Sequence, residues 1–184
     1  MIKVRKHCVP RVCQGDILRD IEFLEYVTEK NGFIEVSKIT FPYVIVLTQD
    51  CDLEQDYKVR WSQKKPSTED KRLFSVLVAP LYNVEHVYAG EHLSELNMEM
   101  ERINKSKTPG QKLRNNETPR YHFLTFPDDV PLVDSVIDFK HYFSVNVEYL
   151  KNIKREQFAC RVAELYREDI SQRFASFLSR IGLP

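Results

Sequence analysis

Glycine is scarce in this chain, five residues in 184. No glycine-rich phosphate loop is present: neither G-x-x-x-x-G-K-[ST] nor G-x-G-x-x-G occurs. The nucleophile elbow G-x-S-x-G is missing as well. The common nucleotide-binding and hydrolase classes are thereby set aside. No apolar run approaches the roughly 20 residues that a membrane span requires, and the first residues lack a signal-peptide pattern. The four cysteines (Cys8, Cys13, Cys51 and Cys160) form no tight framework, so reduced thiols in a cytoplasm are expected. Neither sign of charge is in excess, with 27 basic and 27 acidic residues. Net neutrality argues against coating nucleic acid, because that affinity comes from neutralising phosphates. It leaves room for a local basic stretch such as Lys3, Arg5, Lys6 and Arg11, which precede the first acid, Asp16.

What is present begins with a 42% hydrophobic fraction, enough for a core, and a length that fits one domain over residues 1–184. The most informative stretch runs from Tyr43 to Glu54. Tyr43 to Leu47 are aromatic, β-branched or aliphatic, as in a strand buried on both faces. The run then turns abruptly into Thr48, Gln49, Asp50, Cys51, Asp52 and Glu54. A core strand that ends in a hydroxyl, an amide, carboxylates and a thiol is a rigid base for a site.

The remaining segments read mostly as β. Gln14-Gly15-Asp16 is a turn into a strand. Ile21 to Val27 and Phe33 to Ile39 flank Asn31-Gly32, a hairpin signal, and the second strand alternates as a half-buried one does. Asp50 to Asp70 shows no apolar periodicity and predicts a long polar loop. Arg72 to Ala79 predicts a buried strand ended by Pro80. Val84 to Ile103 has a helical period broken near Gly90, and Asn104 to Arg120 reads as a basic loop, which together make an insertion over about 83–120. Tyr121 to Phe126, Val133 to Phe139 and Tyr142 to Tyr149 predict strands, and Phe158 to Leu165 is closer to strand than helix. Ile170, Phe174, Phe177, Leu178 and Ile181 form one helical stripe over about 168–181, with Asp169 as its cap and Gly182 to Pro184 as its stop. The expected fold class is α+β: mainly antiparallel β in an SH3-like, partly open barrel, with a helical insertion and a C-terminal amphipathic helix.

Several constellations could carry chemistry. Asp50, Asp52, Glu54 and Asp56 would crowd one face of an extended chain, and such crowding calls for a cation or basic side chains between them. A solvated acidic loop is the bland alternative. Cys51 would be a nucleophile only with a base in reach, and His122 is the best candidate for that base. His7, Cys8, Cys13 and Cys51 could ligate zinc at loose spacing, or be separate groups. The aromatic residues Tyr121, Phe123, Phe126, Tyr142 and Phe143 beside the basic loop could stack bases, or simply be core.

Gln14-Gly-Asp-Ile17 followed by Pro42-Tyr-Val-Ile-Val-Leu-Thr48 resembles the PemK/MazF family over about the first 50 residues. There a Gly-Asp-Ile motif opens a small SH3-like barrel, and a proline introduces a hydrophobic strand ending in serine or threonine. The resemblance implies a toxin-like endoribonuclease that works without metal or cofactor, as a dimer held by an antitoxin. Thr48 would be its hydroxyl residue, while Phe41 stands where the family carries arginine.

The resulting expectation is a prokaryotic or phage-type accessory protein that contacts RNA, single-stranded DNA or a nucleic-acid-processing partner. In a nuclease, Thr48 and Asp50 would sit at the strand end with Cys51 and Asp52 beside them. His122 would move protons and Arg120 would stabilise phosphate charge. Two alternatives stand beside it: a non-catalytic protein-interaction module using an exposed sheet, the acidic loop and an Arg173/Arg180 helix face, and a metal-dependent hydrolase using the acidic cluster.

Overall fold

The computed structural model describes residues 1–61 and 68–180. Its strands are β1 (Val4–Arg5), β2 (Asp16–Lys30), β3 (Phe33–Val46), β4 (Ser75–Asn83), β5 (Tyr121–Leu124), β6 (Ser135–Asp138), β7 (Phe143–Asn146) and β8 (Phe158–Val162). They form one antiparallel sheet in the order β1-β8-β2-β3-β4-β6-β5, with β7 also paired to β4. The sheet curls into a half-barrel. Five α-helices accompany it among the described residues: α1 (Asp50–Arg60), α2 (Val84–Ala89), α3 (Thr108–Arg114), α4 (Val147–Gln157) and α5 (Glu164–Leu178). The α+β half-barrel with a C-terminal helix is the fold class that the sequence predicts. No helix among the described residues is long and apolar enough to cross a membrane.

The two-faced strand is real, and it organises the core. Val44 and Val46 of β3 point into one hydrophobic cluster with Leu18, Val76, Val78, Leu53 of α1 and Leu150 of α4. Ile45 and Leu47 point the other way, into a second cluster with Ile17, Phe139, Cys160, Ile170 and Phe174. Helix α5 therefore covers one face of the sheet, and α1 and α4 pack on the other. This follows from the period of a strand, which sends successive side chains to opposite faces.

Several expectations are corrected. The predicted loop from Asp50 to Asp70 is helical over Asp50–Arg60; residues 62–67 of it lie outside the described residues. Strand β4 runs through Pro80 to Asn83. Proline is tolerated there because β4 changes partners at that point, from β7 at Ser75–Val78 to β6 at Leu81–Asn83. The helical period after Asn83 yields α2, which Gly90 ends in the left-handed conformation at φ 75°, and a single 3-10 turn at Ser94–Leu96. The basic loop contains α3. The strand predicted through Tyr149 stops at Asn146, whose side-chain oxygen accepts from the Glu148 and Tyr149 N–H groups and starts α4. Helix α5 starts at Glu164 with no side-chain cap, so Asp169 lies inside it; residues 181–184, including its predicted stop, lie outside the described residues.

One part of the sheet leaves the body. Strand β2 pairs with β8 only from Asp16 to Leu18, and β3 pairs with β4 only from Val44 to Val46. Between those points the two strands pair, among the described residues, only with each other, joined by Asn31 and Gly32 at φ 53° and 78°, the positive pair that a tight hairpin turn needs. Ile21, Phe23, Ile39 and Phe41 still pack on the core at the root. From Leu24 to Lys38 the ribbon is an arm, and Phe33 to Val36 are exposed rather than half-buried as their alternation suggests.

Candidate functional site

The strand-end residues are placed by structural contacts. The Thr48 hydroxyl oxygen accepts from the Leu77 N–H at 2.7 Å, tying β3 to β4. Asp50 opens α1 and receives both terminal nitrogens of Arg11, at 2.9 and 2.8 Å, the Gln14 N–H at 3.1 Å, and the charge of Arg167 at 3.5 Å. Burial opposes ionisation of Asp50, but these partners outweigh it and hold its carboxyl below the usual range. On a helix the four carboxylates no longer crowd together. Asp56 is buried and takes Arg60 and the Leu73 N–H, while Glu54 pairs with Lys58. Among the described residues no three His, Cys, Asp or Glu side chains are placed to hold a metal ion.

Cys51 is exposed in the first turn of α1, with its sulfur 3.6 Å from Gln49 Oε1 and from Asp52 Oδ1. His122 is 3% exposed and packs beside Phe139 in the second cluster. Its Nε2 lies 3.9 Å from Asp169 Oδ2, and its Nδ1 has no partner among the described residues. No hydrogen bond joins the thiol to the imidazole. Burial, with the charge of Arg173 beside it, pushes the His122 pKa down to about 3, so the ring is neutral near pH 7. Arg173 itself turns inward and donates to the Thr118 and Tyr121 carbonyls, and Arg180 lies over the Phe177 ring.

The thiols divide by environment. Burial pushes Cys13 up to about 11 and Cys160 up to about 12, and a thiol that stays protonated reacts slowly. Titration of the native protein with a thiol reagent should show Cys51 reacting at once and half-buried Cys8 more slowly. Cys13 and Cys160 should react only after unfolding, a division that mass spectrometry of the labelled peptides checks.

Arg120 takes part in a chain of polar contacts that the sequence does not suggest. Its Nε donates to the fully buried Asp138 carboxylate at 2.8 and 3.0 Å, and one terminal nitrogen donates at 2.5 Å. Asp138 Oδ2 is 3.3 Å from His141 Nδ1, which is 3.1 Å from the Tyr82 hydroxyl. The Tyr82 ring lies 4.9 Å from the ring of His92. These groups come from β4, β6 and the turns beside them, so no sequence spacing marks them as a set.

The other feature left uncommitted is the arm. Pairing puts Leu24, Val27, Ile34 and Val36 on one face of the ribbon, with exposures of 54, 54, 73 and 54%. Tyr26 and Phe33 are exposed on the opposite face. Over residues 24–38 the arm carries three acids and two bases, net −1. Lys38 pairs with Glu22, and Lys30 with Glu35. The chain matches no family model and no curated protein, so its function is read from these contacts alone.

Proposed function

We propose that this chain is a non-catalytic protein-interaction module whose docking element is the arm between Leu24 and Lys38. The observation that carries the reading is the aliphatic face of a two-stranded ribbon that nothing among the described residues covers. An isolated two-stranded ribbon is marginally stable in water, and an exposed apolar strand invites pairing with another chain. Contiguous apolar patches of this kind mark interaction sites. The acidic balance selects the partner: a protein with an apolar groove or sheet edge rimmed by lysine and arginine. It disfavours phosphate backbones, and it disfavours a second copy, which would bring net −1 against net −1.

The test is capture of a partner from extracts of the source cells with wild type and with Ile34→Glu/Val36→Glu, followed by titration of the purified partner. Exposed positions of this kind change folding stability by only about 0.5 kcal/mol, so the variant stays folded. Each lost apolar anchor weakens binding by more than about 1 kcal/mol, and the pair should cost more than about tenfold in affinity. Equal binding by both forms would contradict the reading.

A second reading, contact with nucleic acid, has one observation in its favour. Arg102, Lys107 and Lys112 line a surface cleft of about 480 Å³ with Tyr121 beside them. Three such cations on single-stranded RNA would give a logarithmic salt slope of about −2, measurable by fluorescence anisotropy and reduced in Lys107→Ala/Lys112→Ala.

A further inference from the structure

Two adjoining cavities, about 340 and 260 Å³, lie between the root of the arm and the segment from Glu91 to Met98. They share Ile39, Phe41, Tyr82, Leu93 and Leu96 as walls. The smaller is also lined by Phe23 and Phe143, whose rings meet edge to face at 5.1 Å. Their sizes sit near the lower end of the roughly 300–1,000 Å³ of ligand pockets. The walls are apolar and aromatic, and a few polar groups converge on them.

Those groups have unused capacity. Placing the His141 ring proton on Nδ1 keeps a lone pair from facing the oxygen of Asp138 that pairs with Arg120. Nδ1–H then donates to the Tyr82 oxygen. The Tyr82 hydroxyl proton is left to donate elsewhere, and His141 Nε2 is left to accept. His92 lines the larger cavity, and both of its ring nitrogens are shielded from solvent with no hydrogen-bond partner among the described residues. Among the described residues neither cavity is lined by a lysine or arginine, and Glu91 and Glu95 line the larger one. Phosphates and carboxylates are thereby disfavoured.

We infer that this double cavity is a binding site for a small, uncharged aromatic molecule carrying adjacent hydrogen-bond donor and acceptor groups, such as an aromatic amide or a neutral nitrogen heterocycle. The flat ring lies among Phe41, Phe143 and Leu96, and its polar edge meets the Tyr82 hydroxyl and His141. The site is separate from the exposed face of the arm, so it stands whether or not the arm binds a partner.

The experiment follows the ring C–H signals of His92 and His141 by NMR while benzamide, adenine or benzoate is added to the full chain. Benzamide or adenine should move both signals saturably, and benzoate should bind at least about tenfold more weakly, because a charge would be buried without a counter-ion. Tyr82→Phe removes one hydrogen bond and should weaken binding about fivefold. Leu96→Trp should fill the cavity and abolish the shifts while leaving the remaining spectrum folded. The inference is overturned if neither neutral probe gives a saturable shift, if benzoate binds as well as benzamide, or if Leu96→Trp leaves binding intact.

Discussion

Asp16→Ala is expected to lower folding stability by about 3–5 kcal/mol, the cost of removing one partner from a buried ion pair. Asp16, Lys154 and Arg161 are all buried, at 0, 1 and 8% exposure. One carboxylate oxygen accepts from Arg161 Nε at 2.7 Å; the other accepts from the Cys13 N–H at 2.7 Å and lies 2.6 Å from Lys154 Nζ. Removing the carboxylate leaves two cations inside the protein. At about 2–4 °C per kcal/mol for a chain of this size, the melting temperature should fall by roughly 10 °C or more. Lys154 also donates to the Arg11 carbonyl, so the triad joins β2, β8, α4 and the segment before β2. Asp16→Ala/Lys154→Met should recover part of the loss, since a well-packed apolar replacement relieves the uncompensated charge. Calorimetry checks both variants, and a fall below about 1 kcal/mol would show that the triad is solvated.

His122 should make the fold acid-labile. Its pKa is about 3 in the folded chain against an ordinary 6.5. Above pH 6.5 both states carry a neutral ring, and the group adds no pH dependence. Between pH 6.5 and about 3 the unfolded chain takes up a proton that the folded chain refuses. Stability then falls by up to about 1.4 kcal/mol for each pH unit. Urea midpoints should therefore drop steadily from pH 6.5 to 4.5, and His122→Leu should remove one proton's worth of that slope. Burial also lowers His92 and His141, both against the opposing pull of Asp138, so a shallower slope remains in the variant. An unchanged slope in His122→Leu would contradict this assignment.

The elements legible in the sequence are those with a local cause. Asn31-Gly32 makes its turn with its own backbone, and the Tyr43–Leu47 strand and the Ile170–Phe174–Phe177 stripe carry the periods of their structures. Helix α1 carries no such period: only Leu53 and Asp56 are buried on it. It is tied down by Arg11 on Asp50, and by Arg60 bridging Asp56 to Glu148, contacts that reach far along the chain. Helix α4 hides its stripe because one of its buried positions is a lysine, Lys154. Gln14-Gly-Asp16, the motif behind the family resemblance, serves structure here: Gly15 turns at φ 77°, Gln14 binds the Leu47 carbonyl, and Asp16 anchors the triad. Of the candidate site residues, Arg120 alone joins the Tyr82–His141–Asp138 chain. Thr48 and Asp50 are held by structural contacts, Cys51 and Asp52 lie in the first turn of α1, and His122 is buried in the second cluster. The alternation of Phe33 to Ile39 shows that one face is apolar, but alternation does not say what covers that face.

The arm is the central claim, and amide hydrogen exchange tests it most directly. In the free protein the amides of residues 24–38 should exchange far faster than those of Val44–Val46, because the ribbon has no third strand among the described residues and little core beneath it. Saturation with the captured partner should slow exchange across 24–38 by at least about tenfold, the value for a local stabilisation near 1.4 kcal/mol, and leave α5 unchanged. Protection that appears elsewhere while the arm still exchanges at its free rate would contradict the account.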